Sequence, residues 1–313
     1  FQAEDGIRDC LRGLVGSEMC IRDRCQAIRA GIESRLADDC DLLYEYLNTR
    51  GSPEAAAEKA ALALARYEAL QPQGVIAADD NAQRLFVIPY LADKVDTPVV
   101  FCGVNDEPEV YAYPADNVTG VLERYHITET IALLQQLVPS VRRVAFIGLD
   151  SPTGRPMIEQ ARVEDPGRLL TQVRFDLVTD LDELQGLLKV IRNTYDALYL
   201  GLLQGLRDGD GALMSPRQVV HAIAAAFEKP LVSAAPYDLP HGVLCAVVHT
   251  GEEQGRLAAE LMKKALQGTP IAQLPITRNY NGQRVINVTA MRRFGIKPRP
   301  ILLRGVKLIR SEP

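Results

Sequence analysis

The sequence predicts an α/β chain of two lobes, each a parallel sheet with helices on both faces. Three observations carry this reading. From Cys25 onward strand-like and helix-like segments alternate with little interruption. The strand segments include continuously apolar runs such as GVIAA (74–78) and PVVFCGV (98–104), the pattern of strands covered on both sides rather than on one. The alternation runs through two consecutive series, and 313 residues is the length of about two domains. Strands joined by helices of this length imply right-handed crossovers within each sheet.

In chain order, residues 27–36 carry Ile28, Ile32 and Leu36 four apart, a helical stripe. LLYEYL (42–47) reads as a strand. Ser52-Pro53 caps and opens an Ala-rich helix to about Leu70, with Pro where a missing N–H costs nothing. Strand 74–78 ends in Asp79-Asp80-Asn81, and a helix follows to about Asp93. Strand 98–104 ends in Asn105-Asp106, a loop with Pro108 and Pro114 follows, and 119–122 is a short strand. The second series runs helix 127–138, strand 143–148, helix 156–163, strand 170–177, helix 180–192 with Asp180 as its cap, strand 197–203 and helix 215–227 behind Ser215-Pro216. Strands 231–234 and 243–249, helix 252–266, a strand near 274–277, one short element over 285–294 and an apolar tail complete the chain.

Residues 1–24 fit none of this. They lack a helical or strand period and repeat Ile-Arg-Asp at 7–9 and 21–23. QAEDGIRD (2–9) and LVGSEMCIRD (14–23) resemble translated sequencing-adapter read-through, in the order and frame such adapters would have. The segment is therefore set apart from fold reasoning as an appended piece. The first strand of the N-terminal lobe is then missing or replaced, and a gap is expected in the middle of that sheet. Cys25, Cys40, Cys102 and Cys245 remain as the cysteines of the natural sequence.

Composition excludes several classes. With 35 Lys+Arg against 40 Asp+Glu the chain is mildly acidic, unlike a nucleic-acid binder with its basic face. No apolar run reaches the roughly 20 residues of a membrane span. No CxxC pair or paired His spacing signals zinc or a redox dithiol, so no metal is expected. GLDSPTG (148–154) lacks both Gly-Lys-Ser/Thr and GxGxxG spacing, which argues against phosphate cradling and against a nucleotide cofactor. No Gly-x-Ser-x-Gly elbow exists. His126, His221, His241 and His249 are scattered, with His249, at a strand end, the one pocket candidate. Asp208-Gly209-Asp210-Gly211 lacks the closing Glu of a calcium loop and reads as a turn.

What remains is a set of polar residues at the carboxyl ends of strands, where the loops of open parallel sheets diverge and ligands bind. Asp79, Asp80, Asn81, Asn105 and Asp106 end strands of the first series. Asp150, Ser151, Thr153, Gly154, Gln204 and Tyr237 follow strands of the second. Any one of them could equally cap a helix or close a turn. Together, at one end of two sheets, they point to ligand contact.

VIAADDNA (75–82), TPVVFCGVND (97–106), NVTGVLE (117–123), VRRVAFIGLDSPTG (141–154) and INVTAMRRFGI (286–296) resemble ABC-transporter substrate-binding proteins, in the branch of tryptophan/tyrosine-type binding proteins. The resemblance spans almost everything after Cys25. It implies two doubly wound parallel-sheet lobes of type I periplasmic-binding-protein architecture, joined by three crossovers and closing on a small ligand. The implied lobes are 25–122 with 251–280 and 123–250 with 281–313, with crossovers near 122–125, 250–252 and 277–284. Such a protein is a monomer and not an enzyme. It is exported to the periplasm or cell envelope and hands a small polar, amino-acid-like ligand to a membrane permease and its ATPase. Carried onto this chain, the ligand-binding positions are Asp80, Asn81, Asn105, Asp106, Glu123, Asp150, Thr153 and Gly154, with Gln204 and Tyr237 added from the strand-end argument. Their acceptor-rich character suits an ammonium or hydroxyl-bearing ligand. A carboxylate would need a donor, for which Arg124 is nearest, though an Arg at a crossover is expected at the surface. The alternative is a ligand-sensing receptor domain for a membrane signalling protein, which the absence of a span or output domain before Pro313 disfavours. An enzyme using Asp80 and Asp106 as acid and base would lack a nucleophile, metal cluster or cofactor loop.

Overall fold

The computed structural model describes residues 14–16, 22–47, 53–151 and 153–311, and for 14–16, 22–24 and 53–56 the backbone alone. Most of the leader, Ser52 and Pro152 lie outside the described residues. In chain order the elements are β1 (Leu14–Gly16), α1 (Arg22–Leu36), β2 (Tyr44–Tyr46), α2 (Pro53–Leu70), β3 (Val75–Ala78), α3 (Asp80–Ala82), β4 (Val99–Val104) and β5 (Val118–Leu122). Next come α4 (Ile127–Leu137), β6 (Arg143–Leu149), α5 (Gly154–Val163), β7 (Gln172–Val178), α6 (Leu181–Ile191), β8 (Ala197–Leu200), α7 (Pro216–Phe227), β9 (Leu231–Ser233) and β10 (Cys245–Val248). The chain closes with α8 (Gly251–Leu266), β11 (Thr277–Arg278), β12 (Gln283–Asn287), α9 (Val288–Arg293) and β13 (Lys307–Ile309). It divides into two compact units, 1–124 with 249–281 and 125–248 with 282–313.

The first unit holds a six-stranded sheet in the order β11-β5-β4-β3-β1-β2, every described pair parallel. Its two faces are covered separately, because alternate residues of a strand point to opposite sides. In β4, Val100 and Cys102 face α1 and α8, while Val99 and Phe101 face the opposite layer with Phe86 and Leu91. The expected gap in this sheet is absent. Leu14–Gly16 runs in register with both Tyr44–Tyr46 and Ile76–Ala78, so part of the leader occupies the first-strand position. The two flanking strands would otherwise leave facing ladder groups without partners. The helix expected to about Asp93 is present over Asp80–Leu91, but not as one α-helix. After α3 the chain is π-helical over Gln83–Leu91, and Pro89 lies inside that stretch, where an α-helical register would drive its ring against the carbonyl four residues back.

Helices α1 and α8 pack backbone to backbone. A Cβ placed on Gly31 would lie 2.1 Å from the Glu252 carbonyl oxygen, and one on Gly255 would lie 1.9 Å from that of Ile28. Both positions must be glycine for the helices to bring Ile28, Ile32 and Leu36 against Ala258, Ala259 and Met262.

The second unit holds a seven-stranded sheet in the order β13-β12-β10-β9-β8-β6-β7. Helices α6 and α7 cover one face of it and α4 and α5 the other. Phe146 lies between Phe175 and Tyr199, at ring-centroid distances of 5.0 and 4.8 Å. The cap and Pro signals act as expected here. Asp180 accepts from the Glu183 N–H, and Ser215 forms a full capping box with Gln218 ahead of Pro216. The all-parallel expectation fails at β10–β12, which is antiparallel. No helix of this unit connects β10 to β12. The chain leaves at Val248 and re-enters at Gly282, and Gln283 pairs with Val248, so the returning strand runs back along the departing one. The single element expected over 285–294 is this strand followed by α9.

Candidate functional site

In the first unit the site residues follow β3 and β4. Asp79 leaves β3 at φ 76°, ψ 169°, a region that side-chain-bearing residues rarely enter. The position is over-determined. Its N–H donates to the Cys102 carbonyl at 2.9 Å, and its carboxylate accepts from the N–H groups of Asn81 (2.7 Å) and Ala82 (3.3 Å). Asp79, not Asp80 or Asn81, is therefore the helix cap. That frees Asp80 to reach across to the loop after β4. Its carboxylate accepts from the N–H groups of Asn105 and Asp106 at 3.1 Å, from the Asn105 side-chain amide at 3.3 Å and from the Tyr111 hydroxyl at 2.5 Å. Asp106 pairs with Arg84 and also accepts from Tyr111, at 3.2 Å. Burial and the neighbouring Asp80 carboxylate push the Tyr111 phenol well up, so it remains a donor. Beneath this layer the buried Gln83 accepts from the Tyr113 hydroxyl (2.9 Å) and donates to the Asp79 carbonyl (3.2 Å). Asn105 is exposed; Asp80, Asn81 and Asp106 are half-buried.

Glu123 and Arg124 belong to this unit and are both buried. The expectation of a surface Arg124 is corrected. Its guanidinium donates to the carbonyls of Asn105 (2.9 Å) and Glu123 (3.0 Å) and pairs with Glu107 at 2.8 Å. Its charge is thus spent on the loop that carries Asn105. Glu123 is 2% exposed, and its Oε1 lies 3.1 Å from His249 Nε2.

In the second unit, Asp150, Thr153 and Gly154 follow β6. Asp150 is exposed, and the Arg155 guanidinium holds its carboxyl below the usual carboxylate range. Thr153 is exposed, and Gly154 opens α5 with its N–H donating to Ser151 Oγ at 3.0 Å. Gln204 is exposed in the turn after β8. Tyr237 lies in the 3-10 turn Pro236–His241 after β9, its phenol pushed up by burial. Its hydroxyl is shielded from solvent without a hydrogen-bond partner among the described residues, an uncommon state for a buried polar atom. Next to it Asp238 accepts from Ser233 Oγ at 2.6 Å, and burial pushes its carboxyl up to about 7.

The structure thus gathers Asp80, Asn81, Asn105 and Asp106 into one cluster on the first unit, with Glu123 set apart among the crossover segments. It places Asp150, Thr153, Gly154, Gln204 and Tyr237 on carboxyl-end loops of the second. The sequence reading passed over Tyr111, Asp238, Gln254 and Asn279. The last two carried a faint signal, polar residues beside the predicted crossovers at 250–252 and 277–284. Asp208-Gly209-Asp210-Gly211 is a turn, its Asp208 carboxylate accepting from the N–H groups of Asp210 and Ala212. No group of three or more His, Cys, Asp or Glu suited to a metal occurs among the described residues. No described helix is long and apolar enough to cross a membrane.

Comparison with known proteins agrees with this fold. A curated relative, a tyrosine-binding protein of Clostridioides difficile (strain R20291), is 20% identical over 228 residues, which is 71% of this chain and 63% of that protein. The chain therefore spans less than two thirds of the relative's length. The ligand-free, open structure of a substrate binding protein with adhesive properties from Clostridium difficile superposes with a TM-score of 0.75 at 12% identity, over 97% of this chain and 100% of that one. The ABC domain in complex with L-Trp from Streptococcus pneumonia gives 0.61 at 18% identity, over 96% and 100%. At these identities the solved structures share the fold. Residues 20–305 match the family described as ABC transporter substrate binding protein; the match takes in both units and starts after β1, and by it this chain is a member of that family.

Proposed function

We propose that this chain captures a small amino-acid-like ligand outside the cytoplasmic membrane and presents it to an ABC permease with its ATPase. The observation that carries the reading is the set of acceptor-rich side chains on loops that follow parallel strands. These are Asn105 and Asp106 on the first unit, and Asp150, Thr153, Gln204 and Tyr237 on the second. Such loops are where parallel sheets bind small molecules. Carboxylates and amide oxygens there accept from an ammonium group. The unpartnered Tyr237 hydroxyl adds one group able to donate to a ligand carboxylate. Asp80 enters as a brace: its carboxylate already receives the N–H groups that shape the Asn105 loop. Ligand selects the conformation it binds best, in proportion to its differential affinity. The relatives' described partners, tyrosine and L-Trp, support an α-amino acid as the ligand class.

Titration calorimetry against aromatic, aliphatic and polar amino acids, simple amines and nucleosides tests the reading. Saturable one-to-one binding of at least one α-amino acid is expected, weakened by removing either its ammonium or its carboxylate. Binding confined to nucleosides, or none in any class, would overturn it.

A further inference from the structure

The chain passes between units at 124–125, 248–249 and 281–282, and on each side of these points the segments are held by contacts internal to one unit. On the first unit, Asn279 is 3% exposed and grips both backbone groups of Arg124: its Oδ1 accepts from the N–H at 2.7 Å and its Nδ2 donates to the carbonyl at 3.0 Å. Gln254, fully buried in the first turn of α8, donates to Asn279 Oδ1 and to the Leu122 carbonyl, both at 3.2 Å. Its Oε1 accepts at 2.9 Å from the N–H of Gly103, a residue inside the register shift between β4 and β5. Glu253 accepts from the N–H groups of Tyr280 (2.8 Å) and Asn281 (2.7 Å). On the second unit, Gln160 holds both backbone groups of Tyr125, and a Cβ on Gly282 would lie 2.3 Å from Val247 and 2.7 Å from His126.

Two carboxamides, each making three hydrogen bonds, thus bind the backbone of crossover segments rather than filling the core, where apolar groups of the same size would do. We propose that Gln254 and Asn279 are positioning residues for ligand capture. They fix the crossover segments to the first unit as one body and confine bending to the backbone dihedrals that flank the three links named above. The proposal rests on the ligand-binding reading. Without the carboxamides the ligand-free chain gains conformations that binding must then remove, and affinity falls.

The test compares Gln254→Ala and Asn279→Ala with Asn117→Ala. Asn117 is a buried carboxamide of the same unit that accepts from the Asp93 N–H and donates to the carbonyls of Leu91 and Thr97, away from the crossovers. All three variants lower the melting temperature. Only the first two are expected to weaken binding of the amino acid found by calorimetry, by about tenfold. They are also expected to speed amide exchange at Tyr280 and Asn281, whose own partner Glu253 is untouched. If an Ala variant fails to fold, Gln254→Glu and Asn279→Asp keep the acceptor and lose the donor, and the same readouts apply. Lower melting with affinity and exchange no different from Asn117→Ala would overturn the proposal. If the unaltered protein binds nothing in the panel, the functional reading fails, and the exchange rates at Tyr280 and Asn281 alone decide for or against the clamp.

Discussion

Replacing glycine by alanine should have opposite signs at two helical positions. At Gly255 the new methyl would lie 1.9 Å from the Ile28 carbonyl oxygen, 2.8 Å from its carbon and 3.0 Å from the Ile32 nitrogen. These are backbone atoms of α1, so no side-chain rotation relieves them. Ordinary contact needs 3.4 Å or more, so α1 and α8 must part by roughly 1.5 Å. A gap of that size forfeits more than half of the dispersion attraction between Ile28, Ile32 and Leu36 and the Ala258, Ala259 and Met262 surface. Overpacking of this kind typically costs about 1–3 kcal/mol, and a backbone collision places Gly255→Ala at about 3 kcal/mol or more. At Gly186, exposed in α6, the added Cβ meets nothing within 4 Å. There alanine removes unfolded-state freedom and raises helix propensity, so stability should rise by about 0.5–1 kcal/mol. Urea unfolding followed by circular dichroism reads both changes. A loss below about 1 kcal/mol at Gly255, or any loss at Gly186, would refute the packing argument.

Asp79 gives a second sign test. Asp79→Ala keeps a Cβ at φ 76° and loses both capping bonds, whereas Asp79→Gly loses the caps but relieves the backbone, so the Gly variant should melt later, by about 1–3 kcal/mol of stability. Tyr111→Phe leaves the Asp80 and Asp106 carboxylates without their shared donor and should cost about 1.5–3 kcal/mol in a urea melt. Asp238 gives a pH dependence. Its carboxyl is raised from 3.8 to about 7, so the folded state keeps a proton that the unfolded state has released. Its contribution is full below about pH 4 and lost as pH rises through 7, on the order of 4 kcal/mol in all. Asp238→Asn should flatten that part of a stability-against-pH profile, and an unchanged slope would count against the buried-carboxyl assignment.

The sequence carried most of the layered fold because its strands are short apolar runs and its helices have sharp starts, as at Asp180 and Ser215-Pro216. Both signals are local. The antiparallel β12 was not legible, since its direction follows from where Val248 leaves and Gly282 returns, a property of the whole path. The π-helical turn over Gln83–Leu91 was hidden because Pro89 marks a break without saying how the helix absorbs it. Among the site residues, Asp80 and Asn105 were visible at strand ends. Their division of labour was not, because it depends on Asp79 taking the cap in a strained conformation and leaving Asp80 to bind the next loop. Gln254 and Asn279 lie 25 residues apart in sequence and meet only in the folded unit.

The most direct measurement is a nitrogen-15 NMR titration of the chain with the best-binding amino acid. The largest amide shifts are expected at Asn105, Asp106, Asp150, Ser151, Thr153, Gly154, Gln204 and Tyr237, on carboxyl-end loops of both sheets. Shifts concentrated at the opposite strand ends, around Asp116 or Arg142, would contradict ligand binding at these loops.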